Sequence, residues 1–586
     1  MSSQARPSGK SPVARAVFWP AAITVLVFVT FAMIAPDAAE SLFQNIQDTV
    51  VRWFSWYYVL IAAFFVAFCL YVGFSKYGDI KLGNDDDEPE FSNMSWLALL
   101  FAAGMGIGLV FYGVSEPLSH YASPRPGVTG TPEELAGYAL RQTYLHWGVS
   151  AWAIYVVVGL ALAYAIHRRK RPISIRWALE PLLGRERVEG RWGNTIDAIA
   201  LVGTIFGVAT SLGLGVMQIA SGLGYIGIAE PSTTLEIVLI AIITCFVIYS
   251  VVSGVSKGMK YLSNINLVLA ALVLMFVLFS GPTVFLLREF VQSLGGYLQT
   301  FIGQAFTVSA FQGEAGEEWQ GAWTTFYWGW WMSWAPFVGV FIARVSKGRT
   351  VKEFVTGVLL VPTLMTFLWF SVLGGTGIYF ELTGRAELIN ADGSVNVEES
   401  LFALLNHLPG TTFLTIGVVV LIAIFFVTSA DSGALVMAMI ASGGQEEPPR
   451  WLKVSFACMS SLLAIALLLA GGLDALKTAA ILIALPFSFV MLLLCWSLVT
   501  AFNREIRAYQ KAQRRAFRDH IGEYYGLEVE SSPPAFHLPK VRWPHPKRPG
   551  QRSAQPPAIM PEAPAITSPT GASNSNDHPE TQRTDN

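Results

Sequence analysis

Long apolar stretches recur along most of the chain, separated by shorter polar loops. A stretch of about 18 or more apolar residues is long enough for a helix to cross the hydrocarbon core of a bilayer. We predict twelve such spans, with the approximate limits 17–35, 53–74, 95–115, 142–166, 194–225, 234–254, 262–287, 319–344, 353–378, 411–441, 451–471 and 475–501.

One further segment, residues 288–305, mixes charged and polar residues with apolar ones. Arg288, Glu289 and Gln292 interrupt its apolar pattern. We therefore predict an amphipathic helix that lies along the membrane surface.

Composition leads to the same class of protein. Of the 586 residues, 53% are hydrophobic and only 14% are charged, and the mean hydropathy is +0.48. The core of a soluble domain does not absorb this much apolar sequence, so the chain is predicted to be a polytopic membrane protein. The net charge of −2 argues against a nucleic-acid partner.

Charged residues alternate in sign from one loop to the next. The loops after the fourth and eighth spans are basic, with Arg168, Arg169, Lys170, Arg171, Arg176, Arg185, Arg187 and Arg191 in the first and Arg344, Lys347, Arg349 and Lys352 in the second. The loop after the ninth span is acidic, with Glu381, Glu387, Asp392, Glu398 and Glu399. Because basic loops stay in the cytoplasm, both termini are predicted to be cytoplasmic, in a bacterial cytoplasmic membrane.

The two ends of the chain are polar. Residues 1–16 are predicted to be a cytoplasmic tail, residues 503–530 a basic cytoplasmic helix, and residues 531–586 a disordered tail rich in Pro, Ser, Thr and Asn. The basic helix is either a solvated segment next to the membrane or a sensor that binds anionic lipid headgroups.

The third span is rich in glycine. It reads GMGIGLVFYGVSEP and contains Gly104, Gly106, Gly108 and Gly113. Glycines in a membrane helix often allow close packing, but this density indicates a helix that breaks within the membrane and exposes backbone groups. We expect Gly329, Pro336 and Gly339 to interrupt the eighth span in the same way.

Two interrupted helices, each opening a run of five spans, are typical of an inverted-repeat transporter. The predicted fold is all-α, with twelve transmembrane helices in a 5+5 inverted repeat. Residues 17–94 then form two accessory helices, 95–287 the first repeat, 288–318 the amphipathic helix and loop, and 319–502 the second repeat.

Aromatic residues are concentrated in the eighth span, at FYWGWWMSWAP. In a helix, Tyr327, Trp330, Trp331 and Trp334 fall within about a third of the circumference. Such a stripe is either an aromatic belt at the membrane interface or a cage whose ring faces hold a quaternary ammonium ion. The position of the rings near the middle of the span favours the cage.

The fourth span reads HWGVSAWAIY and carries Trp147, Trp152 and Tyr155 within about 140° of one helical face. Alone, these residues are ordinary packing aromatics. Beside the stripe of the eighth span, they complete a cage.

Three segments resemble sequences of the betaine/choline/carnitine transporter family: GMGIGLVFYGVSEP, HWGVSAW and TTFYWGWWMSWAPFVGVFIARVSKGRTVKEF. The resemblance covers about residues 15–505. It implies a LeuT-type fold with two additional N-terminal helices, assembly as a homotrimer, and uptake of trimethylammonium compounds or other compatible solutes.

The resemblance also implies a substrate site. Trp147, Trp152, Tyr155 and Trp331 match the central aromatic box of the family, and Trp330 and Trp334 match positions beside the substrate path. The resemblance implies that choline-type members of the family have Asp at the position that matches Gly108 of this chain. Gly108 leaves room and brings no charge, which favours a zwitterion such as glycine betaine, with ectoine, proline or a sulfonium analogue as alternatives.

A sodium site is predicted at the tenth span, where FFVTSADSG places the hydroxyls of Thr428 and Ser429 within the membrane. Such hydroxyls often bond back to carbonyls of their own helix, but a hard cation needs several oxygen ligands. The resemblance implies that the carbonyls of Ala102, Met105 and Phe425 complete the site. It implies a second sodium site at Thr204, where the companion position is Val208 and lacks an oxygen.

Two ionisable residues lie near the aromatic positions. We expect Glu116, followed by Pro117, to lie at the outer surface, and His146 to pack or to form hydrogen bonds.

The sequence therefore predicts a sodium symporter for a zwitterionic compatible solute, which serves osmoprotection and is not an enzyme. The alternatives are a proton-coupled choline or betaine carrier, a carnitine-type exchanger, and a membrane osmosensor that binds solute without moving it.

Overall fold

The computed structural model describes residues 13–104, 106–253 and 256–525, and these residues fold into α-helices without a β-sheet. The helices are α1 Arg15–Ile34, α2 Pro36–Phe74, α3 Asn93–Gly104, α4 Ile107–Ala122, α5 Pro132–Trp147, α6 Val149–Ala163, α7 Ile175–Ala178, α8 Glu180–Leu183, α9 Arg185–Glu189, α10 Arg191–Tyr225, α11 Thr233–Ser253, α12 Ser256–Ser280, α13 Thr283–Ala305, α14 Gly313–Gln320, α15 Phe326–Val345, α16 Val351–Leu382, α17 Ser400–Asn406, α18 Thr411–Ala441, α19 Arg450–Leu469 and α20 Gly472–Tyr525. The predicted all-helical fold is confirmed for the described residues.

Ten helical stretches of the described residues are long and apolar enough to cross a membrane. They correspond to ten of the twelve predicted spans. The third and eighth predicted spans are absent from this set. The third consists of two shorter helices, α3 and α4, whereas α15 has 20 residues but its Trp, Tyr and Gly residues lower its mean hydropathy. A count of twelve therefore stays a prediction.

The third predicted span is broken, as its glycines indicate. Helix α3 ends at Gly104 and α4 begins at Ile107, and between them Gly106 is extended, with φ −143° and ψ 179°. Met105 lies outside the described residues. The predicted interruption of this span is confirmed.

The predicted interruption of the eighth span at Gly329, Pro336 and Gly339 is wrong. Helix α15 continues through all three residues. The two glycines instead allow close packing: a Cβ on Gly329 would lie 2.8 Å from Cα of Ile481, and one on Gly339 would lie 2.7 Å from Cγ1 of Val158. The irregular part of this segment lies earlier, in a π-helical turn at Gly321–Thr325.

The fourth span contains a break that the sequence pattern did not indicate. Helix α5 ends at Trp147 and α6 begins at Val149, because Gly148 leaves the helical conformation with φ −93° and ψ −139°. Carbonyl groups just before the break lose their partners within the helix. They become available to side chains of other helices.

The remaining segments follow the predicted order with shifted limits. The predicted surface helix at 288–305 begins earlier, at Thr283, and buries Leu286, Ser293 and Tyr297. The last predicted span and the basic segment after it form one continuous helix, α20.

The described residues up to Arg514 form one compact unit, and those after it belong to a second. In the second unit, the Nε atoms of Arg515 and Arg518 each lie 3.9 Å from a carboxylate oxygen of Asp519. Most of the predicted N-terminal tail and the whole predicted disordered tail, residues 531–586, lie outside the described residues.

The helices that surround the centre of the first unit pack closely. Helix α15 packs along α6 and α10, and α16 packs along α4, α5 and α6. Side chains from these helices meet at the breaks after α3 and α5.

Candidate functional site

A cavity of about 40 Å³ lies where α4, α6, α10, α15 and α16 meet. It is lined by Gly106, Ile107, Gly108, Leu109, Trp147, Ala151, Trp152, Tyr155, Ser211, Trp330, Trp331, Trp334 and Thr366. We call this cavity the aromatic pocket. All seven residues predicted from the sequence to bind substrate line it, and the pocket-lining residues in the described part of the chain carry no ionisable acid or base other than the phenol of Tyr155.

The aromatic side chains contact one another across the pocket. The ring centroids of Trp147 and Trp331 are 4.8 Å apart in an edge-to-face arrangement, and Trp330 stacks on Trp331 at 4.8 Å. Tyr155 lies edge-to-face against Trp331 at 6.2 Å and against Trp152 at 5.4 Å. The rings converge on one place, as a cage requires.

These side chains are inside the protein. Trp331 is 6% exposed and Trp330 is 2% exposed. An aromatic belt would present its rings to the lipid interface, so the belt interpretation of the eighth span is excluded for these residues.

The indole N–H groups of α15 are bonded to the protein. Trp331 donates to the carbonyl of His146 at 2.9 Å, and Trp330 donates to the hydroxyl of Ser211 at 3.3 Å. Trp334 donates to the carbonyl of Gly207 at 2.6 Å. These tryptophans therefore offer ring faces, and not N–H donors, to a ligand. That arrangement suits a cation without hydrogen-bond donors.

The expectation that Gly108 leaves room is wrong for this structure. A Cβ at this position would lie 2.5 Å from Cη2 of Trp330 and 3.0 Å from Cη2 of Trp147. The two indole rings occupy the space that a larger residue would need. Gly108 therefore permits the rings to approach α4.

Glu116 is not at the outer surface, and that expectation is wrong. Its side chain is fully buried because Pro117 does not end α4, which continues to Ala122. One carboxylate oxygen accepts hydrogen bonds from Nε1 of Trp147 at 2.6 Å and from the hydroxyl of Tyr327 at 2.5 Å.

The other oxygen of Glu116 lies 2.7 Å from Nδ1 of His146 and 3.3 Å from Nε2 of His120. On its far side, Nε2 of His146 is 3.1 Å from both Oγ1 of Thr324 and Nε2 of Gln142. The prediction that His146 packs or forms hydrogen bonds is confirmed.

The predicted sodium ligands lie at a different place. Phe425, Thr428 and Ser429 line a second cavity of about 580 Å³. Trp334 lines both cavities and so forms part of the wall between them.

Among the predicted sodium ligands that the structure describes, the threonine hydroxyls form the hydrogen bonds to carbonyls of their own helix that are common for this residue type. The hydroxyl of Thr428 donates to the carbonyls of Ile424 at 2.9 Å and of Phe425 at 3.2 Å. Ala102 lies near the end of α3, and Met105 lies outside the described residues. At the predicted second site, Thr204 donates to the carbonyl of Ala200 at 2.8 Å. The role of these residues toward sodium stays a prediction.

Comparison with known proteins identifies the family. Residues 16–507 match the model of the betaine/carnitine/choline family of transporters. The chain belongs to this family. Together with the ten apolar helical stretches, this makes it a multi-span membrane transporter.

Relatives of the transporter match over most of its length. It is 49% identical over 498 residues to an uncharacterized transporter of Mycobacterium tuberculosis, covering 84% of this chain and 83% of the relative. It is 45% identical over 499 residues to the glycine betaine transporter OpuD of Bacillus subtilis, covering 85% and 96%. It is 44% identical over 506 residues to a glycine betaine transporter of Acinetobacter baylyi, covering 85% and 75%.

The Glu116 network is the part of the candidate site that sequence reasoning missed. One signal was present: Glu116 and His120 are four residues apart and therefore share a helical face. The residue after Glu116 is proline, which suggested a helix end.

Proposed function

We propose that the transporter imports a zwitterionic quaternary ammonium compound, with glycine betaine as the preferred substrate, by sodium symport. Its role would be osmoprotection of a bacterium, across the cytoplasmic membrane. The observation that carries this proposal is the convergence of Trp147, Trp152, Tyr155 and Trp331 on one buried pocket.

The chemistry of the pocket supports a methylated cation. Each good contact between an ammonium group and a ring face contributes about 0.5–2 kcal/mol. Ammonium groups with N–H donors lose hydrogen bonds with water when they enter such a pocket, whereas a trimethylammonium group has none to lose. Rings alone can therefore favour the methylated ion.

Two observations support a zwitterion over a simple cation. Gly108 brings no negative charge to the pocket, and its Cβ position is filled by Trp330 and Trp147. A substrate with its own carboxylate supplies the neutralising charge itself. The names of the relatives from Bacillus subtilis and Acinetobacter baylyi agree with this choice.

Sodium as the coupled ion is supported by the oxygen atoms near the second cavity. Thr428 and Ser429 of α18 both line this cavity, and the Thr428 hydroxyl lies 3.2 Å from the carbonyl oxygen of Phe425. In our proposal these groups bind sodium together with the carbonyls of Ala102 and Met105, and Thr204 is a weaker candidate for a second ion. The Thr428 hydroxyl donates its proton to helix carbonyls and keeps both oxygen lone pairs, so its oxygen can bind a cation without giving up those hydrogen bonds.

The proposal includes the arrangement in the membrane. The two repeats would form a LeuT-type fold, both termini would be cytoplasmic, and the functional assembly would be a homotrimer. The basic residues of α20 would contact anionic lipid headgroups.

Uptake by the purified protein in proteoliposomes tests this function. With an inward sodium gradient, we expect labelled glycine betaine to accumulate above its external concentration. Equal uptake under sodium and potassium gradients would contradict sodium symport. If only an imposed proton gradient drives uptake, the protein is the proton-coupled carrier, and if only preloaded substrate does, it is the carnitine-type exchanger.

The osmosensor alternative predicts saturable binding without accumulation under any gradient. Competition by choline, ectoine, proline and a sulfonium analogue defines the substrate. Strongest competition by choline would contradict the preference for a zwitterion.

A further inference from the structure

A carboxylate lies directly behind the aromatic pocket without lining it. Glu116 is fully buried in α4. Burying a carboxylate costs much free energy unless hydrogen bonds or opposite charges compensate for the lost water. Four groups surround its two oxygens: Trp147, Tyr327, His146 and His120. Of these four, only Trp147 lines the pocket.

The donors and acceptors of this network fix its direction. Nε2 of the Gln142 amide can only donate, so Nε2 of His146, which lies 3.1 Å away, accepts. A neutral imidazole that accepts at Nε2 carries its proton at Nδ1. His146 therefore donates from Nδ1 to Glu116. The indole N–H of Trp147 is also only a donor, so each oxygen of Glu116 receives at least one hydrogen bond.

This network fixes both sides of the aromatic pocket. On α5, Glu116 holds the indole of Trp147 directly and the side chain of His146, whose carbonyl in turn receives the N–H of Trp331. On α15, it holds Tyr327, which stacks on Trp331 at 5.7 Å and on His146 at 4.7 Å.

We propose that Glu116 is a positioning residue of the substrate site, whose carboxylate sets the ring planes of Trp147 and, through His146 and Tyr327, of Trp331. This inference rests on the proposed function, because the rings are taken to bind a quaternary ammonium group. Hydrogen bonds to a carboxylate are about twice as strong as those between neutral groups, so they hold a ring plane firmly. They also place one negative charge behind ring faces that attract a cation.

Glu116→Gln is the primary test. The network presents donors to both oxygens, so an amide NH2 in place of either oxygen meets a donor, and the arrangement is kept only if His146 changes tautomer and the Gln142 amide turns over. We expect the dissociation constant for glycine betaine to rise by about 10-fold to 100-fold in direct binding measurements on the full-length protein.

Tyr327→Phe is the milder variant, in case Glu116→Gln does not fold. It removes one hydroxyl donor and keeps the ring, and Trp147 still donates to the same oxygen. The expected rise in the dissociation constant is about 3-fold to 10-fold.

Asp197→Asn is the matched control. Asp197 is equally buried and accepts hydrogen bonds from the hydroxyl and guanidinium groups of Ser174 and Arg176, but it does not line the aromatic pocket. We expect a lower Tm and a dissociation constant within about twofold of wild type. A merely structural role of Glu116 predicts the same result for both buried carboxylates, and that result would overturn the inference.

An optical readout without substrate separates this inference from the proposed function. Ultraviolet resonance Raman bands of indole respond to hydrogen bonding at Nε1. We expect Glu116→Gln to shift such a band in the substrate-free protein, and the shift to disappear when Trp147→Phe is already present. Absence of the shift overturns the inference, whether or not the protein binds betaine. A shift in a protein that binds no quaternary ammonium compound overturns the proposed function instead.

Discussion

The indole N–H of Trp331 on α15 donates to the main-chain carbonyl of His146 at the end of α5, at 2.9 Å. This carbonyl is available because Gly148 interrupts the helix two residues later. The next carbonyl, that of Trp147, accepts from the hydroxyl of Thr366 at 3.2 Å for the same reason. A single non-helical residue thus links α5 to both α15 and α16 at the aromatic pocket.

Replacing Gly148 with alanine tests whether this break sets the position of Trp331. A Cβ at Gly148 would lie 2.5 Å from the carbonyl oxygen of Tyr144 and 2.7 Å from the ring of Phe367. We expect a lower Tm and a rise of about 10-fold or more in the dissociation constant for glycine betaine, since the backbone at His146 must move.

Gly303→Ala is the control for that variant, because a Cβ at Gly303 in α13 meets nothing within 4 Å. Alanine is the better helix former, so Gly303→Ala is expected to leave stability and affinity unchanged or slightly improved. Equal affinities of the two alanine variants, measured by the same binding assay, would show that the break does not position the ring.

Gly108→Asp tests the basis of the substrate choice. The new side chain displaces the ring of Trp330, whose Cη2 lies 2.5 Å from the Cβ position, and adds a negative charge. We expect glycine betaine uptake to fall by at least about 30-fold and the ratio of choline uptake to betaine uptake to rise. Gly108→Ala gives the steric effect alone. An unchanged uptake ratio in Gly108→Asp would mean that charge at this position does not discriminate the two substrates.

Thr428→Val tests the proposed sodium site by removing one hydroxyl from α18. We expect the sodium concentration for half-maximal uptake to rise by about 10-fold, with betaine affinity unchanged at saturating sodium. Thr24→Val in α1 is the matched control, since the hydroxyl of Thr24 also bonds back to its own helix, at Pro20, 2.9 Å away. If both variants show the wild-type sodium dependence of uptake, the assignment of Thr428 fails.

Truncation after Ala508 tests the proposed sensing role of the basic helix. This point retains Glu505, which accepts from Arg168 at 2.8 Å and from Tyr164 at 2.6 Å and so contributes to the first compact unit. We expect uptake at low osmolality to be retained and its activation by hyperosmotic shock to be blunted, because the basic groups that we propose to contact anionic lipid are lost. If the truncated and full-length proteins give superimposable activation curves in proteoliposomes, these residues do not sense osmotic stress and serve only to set the membrane topology.

The success of sequence reasoning differed between the two predicted helix breaks. Four glycines within ten residues indicated the break at Gly106, and the structure has it. Pro336 with two glycines suggested another break, but those glycines pack against α20 and α6. Composition within one helix does not reveal which neighbouring helix approaches it, and that contact decides whether a glycine breaks or packs.

The aromatic pocket was predictable residue by residue, whereas its support was not. Helical spacing placed Trp147, Trp152 and Tyr155 on one face and Trp331 in the stripe of the eighth span, and the family resemblance implied that these four residues form one box; all four line the pocket. Glu116 was assigned to the surface because its proline neighbour resembled a helix end, although α4 continues inside the protein. The positioning role that we propose for Glu116 depends on hydrogen-bond partners from α5 and α15. Only the tertiary structure brings these helices together around Glu116.

Equilibrium binding of labelled glycine betaine to purified wild-type and Trp331→Ala protein, in saturating sodium, tests the central claim most directly. Trp96→Ala is the control: Trp96 is a buried indole bonded to Ser346 at 3.0 Å and does not line the aromatic pocket. We predict that Trp331→Ala raises the dissociation constant by at least about 30-fold and that Trp96→Ala, although it also lowers the Tm, leaves it within about twofold. Wild-type affinity in Trp331→Ala would contradict the claim that these rings bind the substrate.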